Sequence, residues 1–113
     1  MKNVWNMVKM LQDWQIREKE KRVRQLARKL MKFDDKYKEF VIVSTIDFYG
    51  FGKHVFKIHC KKNLMFEQNI EAIWGVMDDK WHYFDAESGN RINKSLTKIF
   101  GDFVRECKKR SIW

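Results

Sequence analysis

Residues 53–61, Lys53-His54-Val55-Phe56-Lys57-Ile58-His59-Cys60-Lys61, decide the fold. Successive side chains of an extended chain point to opposite sides. Phe56, Ile58 and Cys60 therefore share one face, and Lys57, His59 and Lys61 share the other. Apolar residues on one side and polar residues on the other describe an antiparallel strand with one covered face. Just before it, residues 39–47 (Glu-Phe-Val-Ile-Val-Ser-Thr-Ile-Asp) are β-branched and alternate, which reads as a partner strand. The turn between the two is Phe48-Tyr49-Gly50-Phe51-Gly52. Lys62-Asn63 ends the second strand. Residues 64–77 fit two patterns: Ile70, Ile73, Trp74 and Met77 suit a helix, and Ala72 to Met77 suits a strand running into an Asp78-Asp79 turn. The strand is preferred, because Lys80-Trp81-His82-Tyr83-Phe84-Asp85 follows at hairpin distance. Glu87-Ser88-Gly89-Asn90 marks a further turn.

Helical periodicity flanks this meander. Leu96, Ile99, Phe100, Phe103, Val104 and Cys107 recur at three- and four-residue intervals, with Asn93 or Ser95 as N-cap and Lys108, Lys109 and Arg110 at the negative end of the dipole. At the other end, Val4, Trp5, Met7, Val8, Leu11 and Trp14 form one stripe, and Ile16, Val23, Leu26, Ala27, Leu30 and Phe33 form another. At about 100° per residue the two stripes point about 100° apart. One straight helix cannot press both onto one core. The helix either breaks near residues 12–15, or residues 1–15 form an arm for another surface. The expected fold is α+β: an N-terminal helix, an antiparallel meander of four to five strands, and a C-terminal amphipathic helix, in a single domain over residues 1–113.

Composition narrows the function classes. With 24 Lys plus Arg against 15 Asp plus Glu, the chain carries +9. A hydrophobic content of 44% is too high for an intrinsically disordered tail. The longest apolar run, Phe40-Val41-Ile42-Val43, is far short of a membrane span. Lys9 and Asp13 interrupt any apolar N-terminal core, so no signal peptide is expected. Cys60 and Cys107 alone cannot make a disulfide framework, which suits a reduced, cytoplasmic protein. An abundance of Lys and Phe with three Ala and no Pro is what AT-rich coding sequences of bacteriophages and low-GC bacteria produce. Residues 1–38 carry a net +7, residues 39–93 a net −2 and residues 94–113 a net +4, so the positive charge sits on the two helical ends.

The candidate contact residues follow from that segregation. Arg17, Lys21, Arg24, Arg28 and Lys32 fall within about 80° of one another on a helix, nearly opposite Val23, Leu26 and Leu30. A row of cations can track phosphates, releasing a condensed counterion at each contact. It is also what an ordinary solvated helix face looks like, and Glu18 and Glu20 stand four residues before Arg22 and Arg24 as ion-pair partners. Lys57, Lys61 and Lys62 are secondary candidates, and Tyr49 and Phe51 at the Gly-flanked tip are candidate aromatic contacts. Trp5, Met7, Met10, Leu11 and Trp14 form a soft Met/Trp stripe suited to a partner protein, or to a homodimer through residues 4–14. No catalytic residue is assigned. His54, His59 and His82 have neither HxH nor HExxH spacing, there is no CxxC, and no cofactor or metal is called for.

The order helix–antiparallel sheet–helix in a small basic chain resembles the double-stranded RNA-binding domain. It departs from that family in its longer strand region and in having only Lys94 and Lys98 at the start of the last helix. The same order resembles the RelE-like group of ribosome-dependent ribonucleases, whose strand motifs are not matched here. The stretch 80–85 is similar to the aromatic hairpins of cell-wall-binding repeats, but occurs once. Three functions are therefore expected in this order. The first is a non-enzymatic module that binds nucleic acid, RNA or DNA, through its basic helix face. The second is a protein-binding inhibitor or regulator, phage-encoded, that uses the Trp/Met stripe and steers onto an acidic protein surface. The third is a small RelE-like ribonuclease. None of them involves a membrane.

Overall fold

A computed structural model describes residues 4–49 and 53–111, and side chains at 14, 17, 18, 20–45 and 54–110. The elements are α1 (Val4–Lys36), β1 (Val41–Tyr49), β2 (Lys53–Cys60), β3 (Glu67–Gly75), β4 (Lys80–Asp85), β5 (Arg91–Ile92) and α2 (Leu96–Ser111). This is an α+β fold with a five-stranded antiparallel meander in the order β1-β2-β3-β4-β5. Residues 64–77, which fit either pattern, carry strand β3. The β1–β2 pairing slips once between Thr45 and Asp47, a bulge at Ile46. Strand β1 then runs on to Tyr49, two residues into the stretch read as turn.

One sheet face is covered. Val41, Phe56, Ile58, Cys60, Ile70 and Ala72 are buried there against Leu26 and Leu30 of α1 and Ile99, Phe100, Phe103 and Cys107 of α2. Those positions are the alternate residues of each strand and one stripe of each helix, as the periodicities require. The helices are locked together by ring stacking: Phe33 lies on Phe100 at 4.5 Å, with Tyr37 at 6.4 Å from Phe100, both nearly parallel to it. Phe66 stacks on Phe103 at 4.7 Å and fixes the turn after β2 against α2. Ser95 proves to be the N-cap of α2, its Oγ accepting the Lys98 N–H at 3.2 Å.

The expected alternatives at residues 12–15 are decided by the backbone: α1 is unbroken over 33 residues. Nothing in the sequence there forces a break, since Gln12, Asp13, Trp14 and Gln15 include neither Gly nor Pro. The first buried side chain described along α1 is Val23.

Buried groups make the core chemically quiet. Burial and the facing Cys60 push the Cys107 thiol up to about 12, so it stays protonated and a poor nucleophile. Burial alone raises Tyr83 to about 12. His54, on the covered face, has its pKa lowered from the ordinary 6.5 by desolvation.

Two predictions follow from this packing. Phe100→Ala removes the ring on which Phe33 and Tyr37 stack and should cost about 3–5 kcal/mol by urea denaturation; a loss under about 1 kcal/mol would mean that the stack does not hold the helices together. Because His54 is kept neutral in the folded state, the unfolded chain binds its proton first as pH falls. Its contribution is present above about pH 6.5 and is lost on acidification below it. The melting temperature should fall between pH 7 and pH 5.5, and His54→Leu should flatten that slope.

Candidate functional site

Arg17, Lys21, Arg24, Arg28 and Lys32 are all exposed, on the side of α1 opposite Val23, Leu26 and Leu30. A step of three or four residues advances about 5–6 Å along a helix, so Lys21 to Lys32 spans about 17 Å. Among the described residues, Lys21, Arg24, Arg28 and Lys32 form no ion pair. Of the two helical pairs the sequence offers, Glu18–Arg22 forms at 3.4 Å. Glu20–Arg24 is not among the ion pairs of the described residues.

The cations of the C-terminal end are placed differently. Asp102 gathers Lys94 at 2.9 Å, Lys98 at 3.3 Å and Arg105 at 3.4 Å, and the bonds from Lys94 and Lys98 hold its carboxyl below the usual range. Glu106 takes Lys109 and Arg110. Lys108 lies over the Phe40 ring at 4.7 Å, and Arg110 over Phe66 at 4.4 Å. Surface pairs of this kind contribute little to stability. They do reduce the positive charge at that end, whereas Lys21, Arg24, Arg28 and Lys32 have no such partners among the described residues.

Of the secondary candidates, Lys57 is not brought to that row. Lys57 is on the uncovered sheet face, only 25% exposed, and shares Glu67 with His59, each at 3.4 Å. The row points away from the sheet on one side of the molecule, and Lys57 points away from the helices on the other. Lys61 and Lys62 are exposed in the turn after β2. Trp14 is exposed at 60%. By helical period it stands in line with Lys32, on the same side as the row. The side chains of Trp5, Met7, Met10, Leu11 and Tyr49, and the whole of Phe51, lie outside the described residues.

A second cationic feature was missed by the sequence reading. Arg22, Lys29 and Lys36 recur every seven residues, on the flank of α1 between the core stripe and the outer row. They form one wall of a groove of 660 Å³ whose other wall is the β3–β4 hairpin, with Trp74, Trp81 and Tyr83, and whose end is the start of α2. Lys80 stands at its rim, and Lys32 lines it while also ending the outer row. Trp74 and Trp81 are directly paired across the hairpin and meet edge to face at 5.5 Å. The Arg22 guanidinium sits 4.7 Å from the Trp74 ring centre and 3.8 Å from Asp79, the one carboxylate in the lining. The sevenfold spacing of Arg22, Lys29 and Lys36 was the available signal. Its partner wall depended on the hairpin register, which the sequence left open.

Two of the three histidines lie against carboxylates, and the third is buried. His82 Nε2 lies 2.6 Å from Asp78, and its Nδ1 is 2.8 Å from Arg91, a group that can only donate. Nδ1 therefore accepts, the ring proton faces Asp78, and neither nitrogen is open to a substrate. That contact holds the Asp78 carboxyl below its usual range. It also explains Gly75, where a Cβ would run into Asp78 and into His82 Nε2 at 2.7 Å. His54 is buried and His59 is against Glu67. No group of three or more His, Cys, Asp or Glu among the described residues could hold a metal ion, and no helix among them is long and apolar enough to cross a membrane. The chain matches no protein-family model, no curated protein and no solved structure.

Proposed function

We propose that the chain is a non-enzymatic nucleic-acid-binding module that grips the phosphate backbone with the outer face of α1. One observation carries this reading: Lys21, Arg24, Arg28 and Lys32 are exposed in a line with no carboxylate partner among the described residues, whereas the cations of α2 are drawn onto Asp102 and Glu106. Release of condensed counterions rewards cations that are not already neutralised. Contacts made to phosphate alone fix position and carry no sequence preference.

A protein-binding regulator is the second reading. It is favoured by the unbroken α1 and by Trp14 at 60% exposure, an aromatic anchor available to a partner. Under that reading Trp14→Ala weakens partner capture more than any lysine change.

Equal charge removal at the two ends separates paired from unpaired cations. The triple variant Lys21→Gln, Arg24→Gln, Arg28→Gln should flatten the log Kd against log salt slope for duplex DNA by roughly 2–3 units. Lys94→Gln, Lys98→Gln, Lys109→Gln should change it far less, with the circular dichroism of both unchanged. Equal losses in the two variants would reduce the reading to net charge, and salt-independent binding would refute phosphate gripping altogether.

A further inference from the structure

We infer that the groove between α1 and the β3–β4 hairpin takes an unpaired nucleotide, so that the bound form of nucleic acid is single-stranded; this rests on the reading of α1 as a phosphate-gripping helix. The groove combines the two things that a nucleotide needs and a plain anion does not. Its α1 wall and rim carry Arg22, Lys29, Lys32, Lys36 and Lys80 against Asp79 alone, and Arg22 already occupies that carboxylate. Its opposite wall presents the ring of Trp81 beside Trp74, both only partly buried, with Arg22 over the Trp74 ring at 4.7 Å. A base laid on an indole gains stacking free energy whatever its identity, because every base has a π-face. The volume of 660 Å³ lies within the range of small-molecule sites.

Continuity with the outer row selects the occupant. Lys32 belongs to both surfaces, so a phosphate chain following Arg24, Arg28 and Lys32 arrives at the mouth of the groove with its next base beside the tryptophans. In a duplex that base is paired and stacked inside the helix and cannot enter without being pulled out, at a free-energy cost. A single strand enters without that cost. An acidic peptide matches the cations equally well, yet its carboxylates leave the indole wall uncovered.

The experiment compares one short DNA strand, alone and annealed to its complement, binding to the full chain by fluorescence anisotropy, with tryptophan emission read in parallel. The strand alone should bind about tenfold tighter than the duplex and quench tryptophan emission. Lys29→Glu with Lys80→Glu, both exposed and without ion pairs among the described residues, should erase that preference and the quench while the duplex still binds. Trp81→Phe, which keeps a ring in place, should retain part of the preference. Uridine monophosphate should quench the wild type and not the double variant, and inorganic phosphate should not. Duplex and strand binding alike, with no quench, would overturn the groove assignment and leave the α1 reading intact. No binding of either form would overturn both. Displacement of the strand by poly-glutamate at equal charge concentration would show an unselective anion groove and also overturn the assignment.

Discussion

The stack of Phe33 on Phe100 sets the roll of α1, and the proposed binding surface depends on that roll. A helix resting on a sheet through aliphatic contacts alone has some freedom to rotate about its own axis. Two rings 4.5 Å apart and parallel to within 4°, with Tyr37 alongside, take much of that freedom away. Once Leu26, Leu30 and Phe33 point inward, helical geometry leaves no choice for the rest. Lys21, Arg24, Arg28 and Lys32 face outward, and Arg22, Lys29 and Lys36 are carried to the flank beside Trp74 and Trp81. One core interaction thus distributes seven cations between two surfaces that meet at Lys32.

Placement matters more here than net charge. The C-terminal segment carries +4, but Asp102 and Glu106 collect five of its six cations and the sixth, Lys108, lies over the Phe40 ring. Glu18 of α1 and Asp79 of the β3–β4 turn both go to Arg22, on the flank, and among the described residues neither pairs with Lys21, Arg24, Arg28 or Lys32. The proposed contact surface therefore lies on the long helix, while the cations of the short one are paired within the C-terminal segment. The sheet contributes rigidity and the tryptophan wall. Its uncovered face, where Lys57 and His59 share Glu67, adds little to the positive surface.

Much of this was legible from residue spacing. The alternation of Phe56, Ile58 and Cys60 announced the covered face, and Leu96 to Cys107 announced α2, because both periodicities are locally complete. The outer row of α1 was legible for the same reason. Continuity through residues 12–15 was not, since two apolar stripes out of phase are compatible with a break as well as with a helix that overruns its core. The groove was illegible for a different reason. It exists only once the hairpin register sets Trp74 opposite Trp81 and the helix roll sets Lys29 and Lys36 above them, and both are long-range facts. The pairing of Lys94, Lys98 and Arg105 on Asp102 mixes close and distant spacings, so charge counting alone overstated the C-terminal end.

The most direct test of the account is a nuclear magnetic resonance titration of the isotope-labelled chain with a short single DNA strand, following every backbone amide and tryptophan indole signal. Shifts concentrated in residues 21–36 and at the indoles of Trp74 and Trp81, with α2 and the Lys57 face unmoved, are the predicted result. Shifts centred on residues 94–110, or spread evenly over all basic segments, would contradict it.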